Sequence, residues 1–398
     1  MRPTLHTSVF WYACAVHFTG AMGLAMFILF PLYVRALAGT EWTIGVVTGV
    51  GYAAAVLARL PIGGMLDQLG RRRVLIAAGA LHVAGCLLFL TTVSLGVWLT
   101  VVTAIHGIAA GVLFAAYFTY AADIVPEARR AEGIAVFGLA GLVANGLAPA
   151  LGEWVIPRGG FAGFFAVAGG WAAVSLLLSL RLVEPDRPVE GPADGSGSVL
   201  RVLRDRGLRP IMLTTLAFGV GVTSVFTFLA PFAVAHDLGS VGGFFACYAG
   251  AAALVRTVGG RIPDVVGLRR VLLPALALLG LGILGLVAAS RYPALLPAFG
   301  AACGAAHGYV FPILNALAVA RAPREAWGTV VSLYTAMFDL GGVVGGPVLG
   351  AIALALGYQA MYLAAAASGI VGFLIMAFGD GEMERVVPMD RIGGQRAR

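Results

Sequence analysis

The sequence predicts an all-α polytopic membrane protein in which twelve transmembrane helices form two pseudo-symmetric six-helix halves. Three observations lead to this fold class. Mean hydropathy is +0.93 and only 11% of residues are charged, well below the quarter or so that is typical of soluble domains. Twelve apolar stretches follow one another along the chain, and one charged turn between them recurs half a chain length later. Recurrence at half length indicates an internally duplicated membrane protein.

Each apolar stretch has about 20 residues or more, which is enough to cross the roughly 30 Å hydrocarbon layer as a helix. We number these stretches as segments 1 to 12. Their expected bounds are 9–34, 42–66, 74–93, 96–124, 132–156, 160–183, 208–235, 240–263, 271–289, 292–320, 327–356 and 358–379.

The predicted domains follow from one hydrophilic stretch between segments 6 and 7. Residues 184–207 contain three prolines and a Gly-Ser run, a composition typical of flexible linkers. We therefore expect an N-terminal half over 1–183, a cytoplasmic linker over 184–207, a C-terminal half over 208–379 and a cytoplasmic tail over 380–398.

The recurring turn has the form G-x3-D-x2-G-x-R-R-V-L and lies between segments 2 and 3 and again between segments 8 and 9. Every matched pair is separated by 197 positions, and an arginine stands eight residues before each aspartate. The glycines permit close packing of helices and turn. The residues of the two copies that we select are Gly63, Asp67, Gly70, Arg72, Arg73, Gly260, Asp264, Gly267, Arg269 and Arg270.

The arginines predict the orientation. Twenty-one of the 26 basic residues fall in loops or tails on one side, whereas only Arg35, Arg158 and Arg291 fall on the other. Because cytoplasmic loops carry the excess of basic residues, we expect both termini in the cytoplasm and a multi-pass location in the cell (inner) membrane. The net charge of +7 then reflects orientation, and no nucleic-acid partner is expected.

Nothing in the sequence indicates an enzyme. It has no P-loop, nucleophile elbow or HExxH motif. The four cysteines lie in apolar segments without metal-ligand spacing, so we expect no metal, no cofactor and no disulfide. The first segment is too long for the apolar core of a signal peptide and is expected to remain as an anchor.

Twelve segments, a central linker and the repeated turn resemble the major facilitator superfamily over essentially the whole chain. In that superfamily the turn is called motif A, although Gln68 here replaces the usual basic residue. The resemblance implies a secondary transporter with alternating access. Asp67 would accept hydrogen bonds from a neighbouring helix N-terminus, pair with arginines and keep the cytoplasmic side shut. Alternatively, the arginines of the turn serve only as topology anchors.

Segment 5 resembles motif C of the drug–proton antiporters within that superfamily. It contains Gly138, Gly141, Gly146, Pro149 and Gly152. Two positions that are usually glycine are Ala148 and Glu153, and Thr103 stands where segment 4 usually carries an arginine. Glycine spacing of this kind is also explained by helix packing alone.

Ionisable residues inside membrane segments are costly and therefore candidates for function. The proton-coupling candidates are Asp339, Arg59, Arg256, His17 and Glu153. Segment 2 faces segment 11 in the superfamily, so Arg59 and Asp339 are expected to pair across the halves. By pseudo-symmetry Arg256 is expected to face segment 5, where Asn145 is the available polar group.

Segments whose counterparts line the central cavity supply the candidates for substrate contact. These are His106, His307, Tyr117, Phe311, Asn145 and Asn315; local packing or hydrogen bonding is the alternative for each. We expect proton-coupled export of a small, partly hydrophobic molecule by a monomer in the lipid bilayer. The alternatives are a proton-coupled importer, a uniporter and, from another class, a membrane-embedded enzyme or receptor.

Overall fold

A computed structural model describes residues 7–185, 204–323 and 326–379. All regular secondary structure in these ranges is helical. Residues 186–203 of the expected linker and the whole expected tail, 380–398, lie outside the described residues.

The first half contains seven α-helices. A single 3₁₀ turn, Phe27–Leu29, joins α1 to α2 and makes them one membrane segment. The helices are α1 (Ser8–Met26), α2 (Phe30–Ala36), α3 (Glu41–Arg59), α4 (Ile62–Leu69), α5 (Arg71–Leu88), α6 (Val97–Ile124) and α7 (Arg130–Ser179).

The second half repeats this arrangement. Its helices are α8 (Arg209–His236), α9 (Val241–Thr257), α10 (Ile262–Val266), α11 (Leu268–Ala289), α12 (Leu296–Arg321) and α13 (Trp327–Phe378).

Helices α7 and α13 each contain two membrane segments. Gly160 interrupts α7 with φ 60° and Gly357 interrupts α13 with φ 85°, a backbone conformation that glycine adopts without strain. Among the described residues nine helical spans are long and apolar enough to cross a membrane, and α9 is a shorter apolar helix of 17 residues. Counting α7 and α13 as two segments each and adding α9 gives twelve, which confirms the predicted fold class.

Segments 2 and 8 end earlier than expected. Helix α3 stops at Arg59 because Pro61 has no N–H to continue it, and the chain resumes as the short α4. Helix α9 stops at Thr257, just before the consecutive Gly259 and Gly260. The repeated turn therefore consists of a short helix in each half and not only of a loop.

Two pairs of long helices join the halves. Helix α3 packs against the first part of α13 (segments 2 and 11), and α9 packs against the first part of α7 (segments 8 and 5). The other main contacts lie within one half: α1 with α7, α5 with α6, α8 with α13 and α9 with α12. The interface between the halves is thus itself two-fold pseudo-symmetric.

The halves are in close contact at the end of the bundle that carries Arg35, Arg158 and Arg291, which we call the arginine-poor end. A Cβ on Gly45 would overlap the carbonyl oxygen of Gly346, and one on Gly242 would lie 2.5 Å from Cα of Ala150. Only glycine permits such close backbone approach. The arginine-poor end is therefore closed in this structure.

Candidate functional site

An ion pair connects the two halves. Nη1 of Arg59 donates to Oδ2 of Asp339, and both side chains are 11% exposed. Nε of Arg59 donates to the carbonyl oxygen of Gly111 at 3.3 Å, and its guanidinium lies 5.2 Å from the ring centre of Phe114. The pairing of Arg59 with Asp339 that the sequence predicts is present.

The depth of this pair follows from the helix bounds. Asp339 lies twelve residues into α13, about 18 Å from its start, as expected. Arg59 is the last residue of α3, because the helix ends before Pro61. The pair therefore marks the arginine-rich limit of the contact between segments 2 and 11.

Arg256 approaches segment 5, but not at Asn145 as we expected. Its Nη1 lies 3.7 Å from the position of a Cβ on Gly138, which is seven residues, or about 10 Å, away from Asn145 along the helix. Nε of Arg256 is buried without a hydrogen-bond partner. No carboxylate of the described residues forms an ion pair with Arg256.

An aromatic cluster surrounds His307 in the second half. Nδ1 of His307 lies 2.5 Å from the hydroxyl of Tyr248, and the ring stacks against Phe311 with centroids 5.8 Å apart. The hydroxyl of Tyr334 donates to the carbonyl oxygen of Phe311 at 2.7 Å. Oδ1 of Asn315 is buried without a partner. Thus His307, Phe311 and Asn315, three of the cavity candidates, all lie on α12.

Two other cavity candidates lie inside the first half. The hydroxyl of Tyr117 is 2.9 Å from Oγ of Ser175, which itself donates to the carbonyl oxygen of Val16. His106 stacks on Phe27 with centroids 3.7 Å apart. Both side chains are enclosed by their own half, which corrects the expectation that they line a cavity between the halves.

His17, on α1, packs against segment 5 within the first half. Its ring stacks on Phe137 at 4.5 Å, and Nδ1 is 3.2 Å from the carbonyl oxygen of Phe137. Nε2 lies 3.4 Å from the position of a Cβ on Gly141. The structure thus places His17 against the glycine face of segment 5.

His82, Cys86 and His106 form a buried cluster that the sequence did not suggest. Their potential ligand atoms all lie within 4.8 Å of one another, and Nε2 of both histidines lacks a partner. Ligands of a tetrahedral zinc ion with bonds of about 2.0–2.3 Å are roughly 3.5 Å apart, so the cluster would have to contract around a metal. The cluster could not be found from the sequence, because α5 and α6, which carry these residues, come together only in the folded protein.

The first repeated turn ties four segments of the first half together. Arg71 donates from Nη1 to Asp67 at 2.8 Å and from Nε to Asp123 at 2.7 Å. The carboxylate of Glu184 accepts from the backbone N–H groups of Arg71 and Arg72 at 2.6 and 2.9 Å. A carboxylate at a helix N-terminus is favoured by the helix dipole. Arg71, Asp123 and Glu184 were absent from our selected residues.

The second turn keeps only part of this arrangement. Nη2 of Arg269 donates to the carbonyl oxygen of Ala377 at 2.9 Å, just as Nη2 of Arg72 donates to Leu180 at 2.6 Å; donors and acceptors are both 197 positions apart. However, Leu268 stands where the first copy has the buried Arg71. The second copy therefore lacks the central cation.

Glu153 joins the halves at the arginine-poor end. Its carboxylate accepts from the backbone N–H of Val241 at 2.6 Å, from that of Gly242 at 3.0 Å and from the hydroxyl of Ser240 at 2.6 Å. These groups form the N-terminus of α9, so the helix dipole favours the charge. Glu153 thus contacts the N-terminus of a helix that belongs to the other half.

Comparisons with known proteins agree with this architecture. A model of the Major Facilitator Superfamily matches residues 11–262 and 211–393. The chain is 27% identical to YhhS of Escherichia coli (strain K12), an uncharacterized MFS-type transporter, over 89% of this chain and 87% of the relative. It is 25% identical to the multidrug resistance protein MdtG of Enterobacter lignolyticus, over 90% of this chain and 88% of the relative.

Solved transporter structures share the fold. The nucleoside transporter NupG superposes with a TM-score of 0.76 at 14% identity, covering 93% of this chain and 99% of NupG. The human organic anion transporter MFSD10 superposes with a TM-score of 0.68 at 20% identity, covering 94% of this chain and all of MFSD10. Together with the family match, these similarities show that the chain belongs to the major facilitator superfamily and is a multi-pass membrane transporter, not an enzyme.

Proposed function

We propose that this protein is a proton-coupled exporter of small, partly hydrophobic molecules that works by alternating access. The observation that carries the proposal is the buried ion pair of Arg59 with Asp339, because it joins the two halves that must move relative to each other. Protonation neutralises Asp339 and removes the attraction to Arg59. Movement of the halves and proton occupancy are thereby linked.

Support for export comes from segment 5 and from one relative. The glycine pattern resembling motif C packs in this structure against both halves: Gly141 faces His17, and Gly146 faces Ala249 of α9 at 2.9 Å. MdtG, which matches over most of the chain, is named a multidrug resistance protein. A proton-coupled importer or a uniporter is the alternative; the direction of substrate movement under an imposed pH gradient separates them.

The predicted topology forms part of the proposal. The arginine-rich end, with Arg71, Arg129 and Arg269, would face the cytoplasm because of the 21-to-3 distribution of loop arginines. The arginine-poor end, closed here, would face outward in the inner membrane. Residues 1–183 and 208–379 would move as two bodies connected by the linker 184–207, and the working unit would be the monomer.

Motif A would act as the cytoplasmic gate. Asp67 and Arg71 bind each other, and Arg71 reaches Asp123 on α6, so the turn moves with the first half as one rigid unit. The carboxylate of Asp67 remains 67% exposed and can approach the second half when the cytoplasmic end closes.

The decisive experiment replaces Asp339 in proteoliposomes that contain a pH-sensitive dye. A panel of neutral, cationic and anionic amphiphiles first identifies a substrate that drives proton flux in the wild type. Asp339→Asn should then abolish pH-driven uphill transport while retaining substrate exchange, because the halves still move but no longer bind a proton at this site. Uphill transport by a well-folded Asp339→Asn protein would transfer the coupling role to His17 or Glu153.

A purely structural ion pair predicts a different result. Removing one partner of a buried pair leaves the other charge unpaired and costs about 3–5 kcal/mol. Asp339→Asn and Arg59→Gln would then each lower the unfolding temperature, and the double substitution would recover part of the loss. Thermal unfolding of the three variants therefore accompanies the flux measurement.

A further inference from the structure

The two halves differ in charge at a position of their shared interface near its arginine-rich limit. Segments 5 and 11 are related by an offset of 198, as Pro149 is to Pro347. The same offset relates Asp339 to Gly141. Segment 11 therefore presents a carboxylate to the other half, whereas segment 5 has a glycine at the equivalent position, and the Cβ position of this glycine faces His17 of its own half.

The arginines opposite these positions are both present. Arg59 and Arg256 are separated by 197 positions, and each lies at the arginine-rich end of its helix, α3 or α9. Nε of Arg59 donates to the carbonyl oxygen of Gly111, whereas Nε of Arg256 has no partner. One arginine is thus neutralised by Asp339, and the other keeps its charge without a counterion among the described residues.

Side chains of both halves lie beside the glycine face of segment 5. Its Nη1 is 3.7 Å from a Cβ position on Gly138, and the imidazole of His17 is 3.3–3.4 Å from a Cβ position on Gly141. These glycines are three residues apart and so lie on one helix face. The ring of Phe118 lies 3.8 Å from the same Cβ position on Gly138. An arginine, an imidazole and an aromatic ring therefore lie along the glycine face of segment 5, and no acidic side chain is among the neighbours of these two glycine positions in the described residues.

An arginine without a counterion is costly inside a membrane protein and is typically part of a ligand or ion pathway. The equivalent arginine of the first half, Arg59, is neutralised by a carboxylate across the interface. We propose that Arg256 binds the single anionic group of an amphipathic substrate, a carboxylate or sulfonate, which occupies the place that Asp339 occupies for Arg59. The inference deepens the proposed transport function, because it assigns the substrate class of the same pathway.

The charge at the site limits this substrate to one negative charge. Arg59 is already paired, so only Arg256 is left to neutralise an anion. A second anionic group would be desolvated next to Phe118 and other aromatic residues without a partner, which is strongly unfavourable. The apolar part of a monoanion, in contrast, can lie against those rings.

The first test measures binding to the purified full-length protein in a neutral detergent. The probe is p-toluenesulfonate, and its neutral control of the same shape is p-toluenesulfonamide. We expect the sulfonate to raise the unfolding temperature and to bind at least tenfold more tightly than the sulfonamide. Equal binding of the two probes, or no binding of the sulfonate, would overturn the proposal.

Variants identify the residue. Arg256→Gln should weaken sulfonate binding at least tenfold, since it removes hydrogen bonds between two charged groups, while Arg256→Lys should retain part of it. Gly138→Asp supplies the missing carboxylate from within, and its Cβ meets no atom closer than 3.7 Å. It should abolish binding, whereas Gly138→Asn, similar in size but uncharged, should weaken it far less. Equal effects of Asp and Asn would contradict an electrostatic site.

Three further outcomes separate the sources of the anion and the two proposals. Stabilisation by chloride to the same extent, or by anionic lipid that the sulfonate does not displace, would overturn a substrate site. Proton-coupled flux of neutral or cationic amphiphiles that is unaffected by Arg256→Gln would leave the exporter intact and refute the anion site. Sulfonate binding dependent on Arg256, without any proton flux, would support the site and refute proton coupling.

Discussion

Glu153 is expected to set the balance between the closed and open states of the arginine-poor end. Its carboxylate receives three hydrogen bonds from the first turn of α9 across the interface between the halves. Glu153→Gln removes the negative charge and replaces one acceptor oxygen by a donor. The loss combines a helix-dipole interaction of about 0.3–1 kcal/mol with one hydrogen bond of about 0.5–1.5 kcal/mol.

The sum, about 0.8–2.5 kcal/mol, corresponds to a roughly 4- to 60-fold shift of the equilibrium toward opening of this end. Glu153→Ala removes all three bonds and should shift it further. Opening can be measured by electron–electron double resonance between spin labels on Ser94 and Arg291. Both residues are exposed, they lie in loops at this end, and each half carries one of them.

An unchanged distance distribution in folded Glu153→Gln and Glu153→Ala proteins would show that Glu153 does not hold this end closed. Glu127→Gln is the matched control, because this exposed carboxylate lies at the opposite end of the bundle. It should leave the distances as in the wild type. The free energy of unfolding should change by less than the free energy of opening, because the hydrogen bonds that are lost connect the two halves.

Two further predictions concern the repeated turn and the glycine contacts. Asp67→Asn should lower transport more than Asp264→Asn, because only the first turn has the buried Arg71. Unfolding temperatures should barely differ, since Asp67 is 67% exposed and Arg71 keeps its ion pair with Asp123. Equal, negligible effects on transport would leave topology as the turn's only role. Gly45→Ala should destabilise the closed arginine-poor end by about 1–3 kcal/mol, because its Cβ would overlap the backbone of the other half. Gly250→Ala is the control, since this exposed glycine of α9 has nothing within 4 Å of its Cβ position. Equal label distances in the two variants would refute the role of this packing.

The pairing of Arg59 with Asp339 could be predicted because both residues are ionisable, lie in apolar segments and belong to segments that face each other in the resembled family. The roles of Tyr117 and His106 could not, since periodicity does not tell which face of a buried helix points to its own half. The partner of Arg256 was predicted at the wrong turn of segment 5. Asn145 was chosen for its polarity, whereas the approach occurs at Gly138, which has no side chain to keep the guanidinium away.

The role of Glu153 also could not be predicted from the sequence. The sequence identified it as a carboxylate in place of a motif C glycine, and proton coupling was one reasonable interpretation. Its contact with α9 depends on where segment 8 begins in space, and Val241 is 88 positions away. The free N–H groups at the N-terminus of α9 come within reach of Glu153 only when the two halves are packed together.

The sequence by itself determines the number of membrane segments, the duplication and the position of the charged turns. These features depend on the hydrophobic length of each segment and on the placement of arginines beside it, which are local properties of the chain. The tertiary structure decided which charges are neutralised. Arg59 and Arg256 are equivalent in the sequence repeat, but one meets Asp339 and the other meets a glycine face. Coulombic neutralisation depends on distances of a few ångströms between segments that are far apart in the chain, and only packing of the two halves determines those distances.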